Sequence, residues 1–342
     1  MSAPWGAQHL VEISNPCDIA EARRIGSRGA EKADFSEVET ANVALVATEL
    51  SSNLLKHAKH GRIIMRLLHR GKDLGIELMS LDQGPGIADL AQSMRDGYST
   101  AGSPGTGLGA VKRLTSHFDI HSVPGKGTAV LAQFWSGQPK RRPSLGTEFG
   151  VVCLPMPGEE VSGDGWGVER PVDKTICVLA DGLGHGPEAA LAAQAALSTA
   201  REYSDKAPAE IVERAHGVLR STRGAALAVG EIDRLGQSVR FCGVGNISAT
   251  IVNNTGVRHL VSHNGIVGQE ARKIAEFTYP WSRDSLLVMH SDGLTTRWDL
   301  LTYPALIQRH PGLIAGVLYR DFSRGRDDTT VLAAKESDDH EL

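Results

Sequence analysis

Glu49 and Asn53 stand four residues apart in Glu49-Leu50-Ser51-Ser52-Asn53. On a helix that spacing puts both side chains on one face. An amide oxygen there can ligate Mg²⁺, and a carboxylate can take the proton from an attacking hydroxyl. The pair alone is a weak signal, because Glu-x-x-x-Asn arises by chance on any polar helix face. A second element, Asp82-Gln83-Gly84-Pro85-Gly86, directly follows a predicted strand. A carboxylate at a strand end can accept a hydrogen bond from an adenine amino group, while Gly84 and Gly86 let the backbone approach the base. A third element, Gly105-Thr106-Gly107-Leu108-Gly109, leads into a predicted helix whose backbone N–H groups can cradle phosphates. Each glycine cluster alone reads as a tight turn. All three in this order point to a nucleotide site.

The second half carries a different set: Gly163-Asp164-Gly165, Ala180-Asp181-Gly182, Ser291-Asp292-Gly293 and Arg326-Asp327-Asp328-Thr329. Asp-Gly at a strand end is a common turn. Three of these four, however, adjoin apolar runs at 175–180, 285–290 and 330–333. That arrangement can gather aspartates at one edge of a sandwich. Clustered carboxylates repel unless cations neutralise them, and hard ions such as Mg²⁺ or Mn²⁺ suit oxygen ligands. A binuclear site of this kind can activate a bridging water for in-line attack on phosphorus.

The elements that must position these residues follow from periodicity. A strand is expected at 9–13, helical composition at 18–32, and a long helix at 37–58 with Ser36 as its N-cap. Its expected buried stripe is Val38, Ala41, Leu45, Thr48, Ser52 and Leu55. Strands are expected at 62–69 and 75–81, a helix at 110–117, and strands at 119–122 and 128–134. Residues 136–144 are polar, basic and proline-bearing, which suits a linker. Beyond them short β-rich runs (176–180, 239–242, 249–252, 285–290, 330–333) alternate with Gly-Asp turns, and 187–200 and 208–219 look helical. This is the pattern of a layered α/β sandwich. The expected division is 1–135, a linker at 136–144, 145–335, and a polar tail at 336–342.

A chain of 342 residues with 41% hydrophobic and 22% charged residues has room for two cores. Its net charge of −4 offers no general basic field for nucleic acid or an anionic membrane. No apolar run is long enough to span a bilayer, and the first residues do not read as a signal peptide. Cys17, Cys153, Cys177 and Cys242 form no CxxC pair. Reduced, mostly buried thiols in a cytoplasmic protein are expected.

The first set of motifs resembles the GHKL ATPase and kinase superfamily. Glu49–Asn53 matches its N box, Asp82–Gly86 its first glycine box, Gly105–Gly109 its second, and Thr128 its late threonine near the base. The likeness spans about residues 10–135. Within the superfamily, Asp96-Gly97-Tyr98-Ser99-Thr100 and Gly109-Ala110-Val111-Lys112-Arg113-Leu114 look like the anti-sigma-factor-related serine kinases of the RsbT type. The resemblance implies ATP and Mg²⁺ as cofactors and a small STAS-domain protein as substrate. It also makes residues 90–104 a mobile lid. Histidine-kinase and gyrase-, Hsp90- or MutL-like relatives fit less well. The segment before residue 37 does not provide the dimerising phosphoacceptor helix of the former, and a different module follows where the latter carry large transducer domains.

The acidic turns resemble the PPM metal-dependent serine/threonine phosphatases in their SpoIIE-like branch, over about residues 145–335. By that resemblance Asp181 bridges two Mn²⁺ or Mg²⁺ ions with the Gly182 carbonyl. Asp164 serves one ion, Asp292 and Asp327 serve the other, and Asp328 stands behind them or acts as an alternate ligand. Gly243-Val244-Gly245-Asn246-Ile247 and the compact length look most like the RsbX type. The expected fold is therefore α+β, a GHKL (Bergerat-type) α/β sandwich followed by a PPM-type αββα sandwich. The expected function is a bifunctional regulator of bacterial stress or sigma-factor signalling that phosphorylates and dephosphorylates STAS-domain partners. A sigma factor or downstream phosphatase is a further expected partner. The alternative is a nucleotide-gated phosphatase whose first domain only binds a sigma factor or STAS protein.

Overall fold

The computed structural model describes residues 8–94, 107–136, 146–171 and 173–337. They divide into two compact units. In the first, strands β1 (His9–Ile13), β2 (Gly61–Arg70), β3 (Asp73–Leu81), β4 (His117–Ser122) and β5 (Thr128–Trp135) form an antiparallel sheet in the order β1-β2-β3-β5-β4. Helices α1 (Pro16–Lys32) and α2 (Glu37–Asn53) cover one face of it. Ala22, Ala30, Val43, Val46, Ala47 and Leu50 pack there against Ile63, Met65, Ile76, Leu78 and Val130. Two short helices follow, α3 (Leu90–Ser93) and α4 (Leu108–Leu114).

Ser36 caps α2 as expected: its Oγ accepts from Glu39 N at 3.3 Å, and Glu39 returns a carboxylate to Ser36 N at 2.8 Å. The expected buried stripe is wrong. Val38, Ala41 and Leu45 are exposed, and the core face is Val43, Val46, Ala47, Leu50 and Leu54. Alanine, valine and threonine occupy both sides of α2, so neither side announces itself as apolar. The helix runs past Asn53 into a π-helical turn, Leu54–Ala58, and ends at Lys59 with φ +68°. The helix expected at 110–117 is displaced, because Ser116 N already donates to Gln133 O at 2.8 Å and His117 pairs with Gln133 in the β4–β5 ladder.

The second unit stacks two sheets. One is ordered β13-β10-β9-β8-β7, from β7 (Asp164–Glu169), β8 (Lys174–Gly182), β9 (Ala225–Asp233), β10 (Ser238–Val244) and β13 (Ser262–His263), with β14 (Phe277–Pro280) also pairing β10. The other is ordered β12-β11-β15-β16-β6, from β6 (Thr147–Leu154), β11 (Ser248–Asn253), β12 (Gly256–His259), β15 (Leu286–His290) and β16 (Thr329–Glu336). The sheets meet closely: a Cβ added to Gly230 on β9 would sit 3.4 Å from Leu287 and 3.7 Å from Met289 on β15. Helices α5 (Gly186–Glu202) and α6 (Pro208–Val218) cover the first sheet through Ala193, Ala196, Ala200, Ile211 and Val212.

The first unit also takes Asp299–Arg320, a stretch expected from the sequence inside the second domain. It lies on the face of the five-stranded sheet away from α1 and α2. Helix α7 (Pro311–Phe322) ends it, with every residue from Pro311 to Arg320 buried. A Cβ on Gly316 would collide with Met79 Sδ, so glycine there lets the helix lie close to β3. The same face holds a buried ion pair, Arg66 to Glu77 at 2.6 Å, joined by Gln133 at 2.8 Å. Burial alone would raise the Glu77 pKa, but Arg66 outweighs it and holds the group below the ordinary carboxylate value. All four cysteines are free, with Cys177 and Cys242 buried, Cys153 half-buried and Cys17 exposed. Among the described residues no helix is long and apolar enough to cross a membrane.

Candidate nucleotide and metal sites

Glu49 and Asn53 sit on the last turns of α2, both half-buried, one helical turn apart. Asp82 immediately follows β3, with its Oδ1 accepting from Gly84 N at 2.8 Å and Thr128 N at 3.2 Å. Burial raises the Asp82 pKa above the ordinary value while those two N–H groups oppose it. Glycine is required around this carboxylate. Gly86 has φ +71° and abuts Val123 O, and a Cβ on Gly127 would strike Asp82 O. Ser122, not foreseen from the sequence, ties the pocket together. Its Oγ accepts from Ile87 N at 2.8 Å and lies 2.9 Å from Thr128 Oγ1. Of the third motif, Gly107, Leu108 and Gly109 open α4, with Gly109 buried. Gly105 and Thr106 lie outside the described residues, as do 95–104 of the expected lid and 137–144 of the expected linker. His57, Lys112 and Arg113 are exposed.

The acidic turns of the second half converge through the two sheets. Asp164 opens β7 and Asp181 lies near the end of β8, paired directly across the ladder. Gly182 N donates to Gly163 O at 3.1 Å, and a Cβ on Gly182 would collide with Ala189 O of α5. Ser291, fully buried, joins the other sheet to this one. Its Oγ donates to Asp164 Oδ2 at 2.6 Å and accepts from Thr330 N at 3.0 Å. A Cβ on Gly293 would strike Asp328 O, so the Ser291–Gly293 and Asp327–Thr329 turns nest against each other. Asp292 accepts from Asn246 Nδ2 at 2.8 Å. Asp328 is committed to backbone, accepting from Met156 N at 2.7 Å and Gly163 N at 2.8 Å. A cleft of about 590 Å³ is lined by Asp181, Asp292, Asp327, Asn246, His185 and Arg326, among others. His185 is exposed and pairs with Glu159 at 2.6 Å.

The electrostatics of this cleft call for cations. Burial, then the charges of Asp164, Asp292 and Asp327, push Asp181 up to about 8. Burial raises Asp164 to about 7 against the hydrogen bonds of Ser291 and Thr330. Among the described residues no three His, Cys, Asp or Glu side chains form a closed cage. The donors that line the cleft, Asp181, Asp292 and Asp327, are all oxygens, a set that fits Mg²⁺ or Mn²⁺. One consequence is testable on metal-free protein. Both carboxyls bind a proton more tightly folded than unfolded, so they favour the fold at acid pH. That contribution is lost as pH rises through about 7 to 8. Thermal unfolding in chelator is expected to show greater stability at pH 6 than at pH 8.5 from these groups. Asp181→Ala should reduce that difference, and an unchanged difference would place the charge elsewhere.

The five-stranded sheet under two helices, and the two-sheet sandwich with its ring of aspartates, define an α+β chain of two enzymatic classes. They are a GHKL-type ATP-binding domain and a PPM-type phosphatase domain. The family model "Histidine kinase-like ATPase domain" matches residues 14–134, and "Stage II sporulation protein E (SpoIIE)" matches residues 171–336. The serine/threonine-protein kinase RsbT of Bacillus subtilis is 40% identical over 129 residues, 37% of this chain and 96% of RsbT. The phosphoserine phosphatase RsbX of the same organism is 25% identical over 145 residues, 42% of this chain and 73% of RsbX. A solved structure described as belonging to the bacterial stressosome, a modular system adapted to control secondary messenger signalling, aligns with TM-score 0.53 and 27% identity. It covers 56% of this chain and all of its own. Through its first domain the chain belongs to the RsbT serine/threonine-kinase family, here fused to a SpoIIE-type PPM serine/threonine phosphatase domain. GHKL domains bind ATP, and PPM phosphatases use two Mn²⁺ or Mg²⁺ ions.

Proposed function

We propose that this chain writes and erases phosphate on a serine or threonine of a STAS-domain partner in sigma-factor stress signalling. One observation carries the reading: a Glu49/Asn53 helix face with the Asp82 cradle, and the Asp164–Asp181 pair joined to Asp292 through Ser291, occur intact in a single chain. The names of the relatives, a serine/threonine-protein kinase and a phosphoserine phosphatase, support it.

In the first domain Asp82 accepts from the adenine amino group, Gly84 and Gly86 admit the base, and Thr128 lies beside it. Gly107 to Gly109 open the helix that would face the phosphates, and Asn53 would supply an oxygen for Mg²⁺. Glu49 takes the proton of the partner's hydroxyl as its oxygen bonds the γ-phosphorus and ADP leaves. In the second domain Asp181, with the Gly182 carbonyl, and Asp164, Asp292 and Asp327 would hold two divalent ions, and Asp328 holds the turn behind them. Bound ions supply a nucleophilic water at neutral pH and neutralise phosphate charge. Ser291 and Asn246 keep the carboxylates aimed.

Incubation of the purified chain with a STAS-domain protein, ATP and Mg²⁺ should produce phosphoserine or phosphothreonine detectable by mass spectrometry. Nucleotide binding without any transfer would instead support the alternative in which the first domain only binds. Asp82→Asn should weaken ATP binding by about 1.5–3 kcal/mol, roughly 10- to 150-fold, the worth of one charge-assisted hydrogen bond. Calorimetry showing wild-type affinity would remove Asp82 from the site.

A further inference from the structure

Asp299–Arg320 lies between two of the acidic turns, starting seven residues after Asp292 and ending seven before Asp327. Its contacts run along β3, β4 and β5 of the first unit. Lys126 Nζ donates to Thr302 O at 2.8 Å, His121 Nε2 lies 3.1 Å from Pro304 O, and His310 N donates to Asp119 at 2.8 Å. Burial drops the His310 imidazole to a pKa of about 4, so it packs there as a neutral ring. The segment finishes on the adenine loop. Arg320, 8% exposed, donates from Nη1 to the Asp82 carbonyl at 2.9 Å, and Gln83 Nε2 returns to the Arg320 carbonyl at 3.4 Å. Immediately afterwards the chain is pinned to the turn that follows Asp292. Thr295 N donates to Phe322 O at 3.0 Å, and Arg324 N donates to Gly293 O at 2.8 Å.

From this placement we infer that Arg320 is a positioning residue of the nucleotide site, supplied by the segment that also spaces Asp292 from Asp327, and that nucleotide and divalent-metal occupancy are therefore coupled. The inference rests on the nucleotide and metal assignments above. A buried guanidinium on a backbone carbonyl fixes the loop that presents the Asp82 carboxylate, because Gly127 and Gly84 leave that loop little room to move. Adenine binding tightens the loop's hold on Arg320. Phe322 and Arg324 carry any shift to residues 293–295, one residue beyond Asp292. Coupling of binding free energies is reciprocal, so metal in the acidic cleft must alter nucleotide affinity by the same factor.

The experiment uses the full chain. ADP affinity is measured by calorimetry for wild type, Arg320→Lys and Arg320→Met. Mn²⁺ half-saturation of phosphatase turnover on a small aryl phosphate is measured with and without ADP at buffered free Mn²⁺. Arg320→Met is expected to bind ADP about tenfold more weakly (~1.4 kcal/mol), with Arg320→Lys recovering part of the loss. In wild type the two Mn²⁺ midpoints should differ several-fold, and in Arg320→Met their ratio should fall to one. Wild-type ADP affinity in a folded Arg320→Met, or coincident wild-type Mn²⁺ midpoints, would overturn the inference. The wild-type comparison decides the matter even if the variant does not fold. A wild-type chain that binds no nucleotide at all would overturn the nucleotide assignment itself, a distinct result.

Discussion

Asp181→Ala is expected to abolish phosphatase turnover while leaving the kinase reaction intact, so the phosphorylated partner accumulates. Asp181 stands opposite Asp164 across the β7–β8 ladder and feels the charges of Asp292, Asp327 and Asp328 as well. Under the proposed function it is the carboxylate that would be shared by the two ions. Removing it should cost the several kcal/mol that ions contribute to a phosphoryl transition state, a loss of about 10³-fold or more. The metal-free fold should not suffer, because the deletion relieves repulsion between buried carboxylates. Loss of turnover with an unchanged or raised melting temperature in chelator is therefore the expected signature. Wild-type cleavage of phosphoserine with unchanged metal content would rule out the two-ion assignment.

Glu49→Ala should have the opposite effect on the partner. Glu49 lies on α2 one turn before Asn53, at the point where the helix widens into its π turn. A general base contributes about 10²–10⁴-fold, so phosphoryl transfer should fall by that much. Alanine is the best helix former, so α2 keeps its stability. Nucleotide affinity should stay near wild type, because Asp82, Gly84 and Gly86 are untouched. This separation of turnover from binding distinguishes a base from a binding residue. Transfer at the wild-type rate would assign the proton to another group.

The motifs were legible because their constraints are local. Gly86 and Gly127 each face a backbone carbonyl where no Cβ fits, and Asp181-Gly182 ends an apolar strand that α5 crosses at near contact. Such requirements leave fixed residues at fixed spacing. What stayed hidden depends on partners far along the chain. Ser291 reads as part of a turn until its Oγ is seen on Asp164, 127 residues away. Arg320 meets Asp82 across 238 residues. Helix α7 carries apolar residues and glycines all round, with no polar face to give it a period, because it is buried on every side. The buried face of α2 differs from the expected stripe for a related reason: small residues on both faces leave burial to be decided by the sheet beneath it.

The proposed function requires one chain to add and remove phosphate at one position of one partner. Mass spectrometry that maps the phosphorylated residue through both steps tests this. Asp181→Ala and ATP are used to load the STAS-domain partner, the loaded partner is purified, and Glu49→Ala with Mn²⁺ is then added. A single phosphoserine or phosphothreonine peptide is expected to form in the first step and disappear in the second. A peptide that forms and then persists in the presence of active Glu49→Ala phosphatase, or that never forms, would contradict the proposed function.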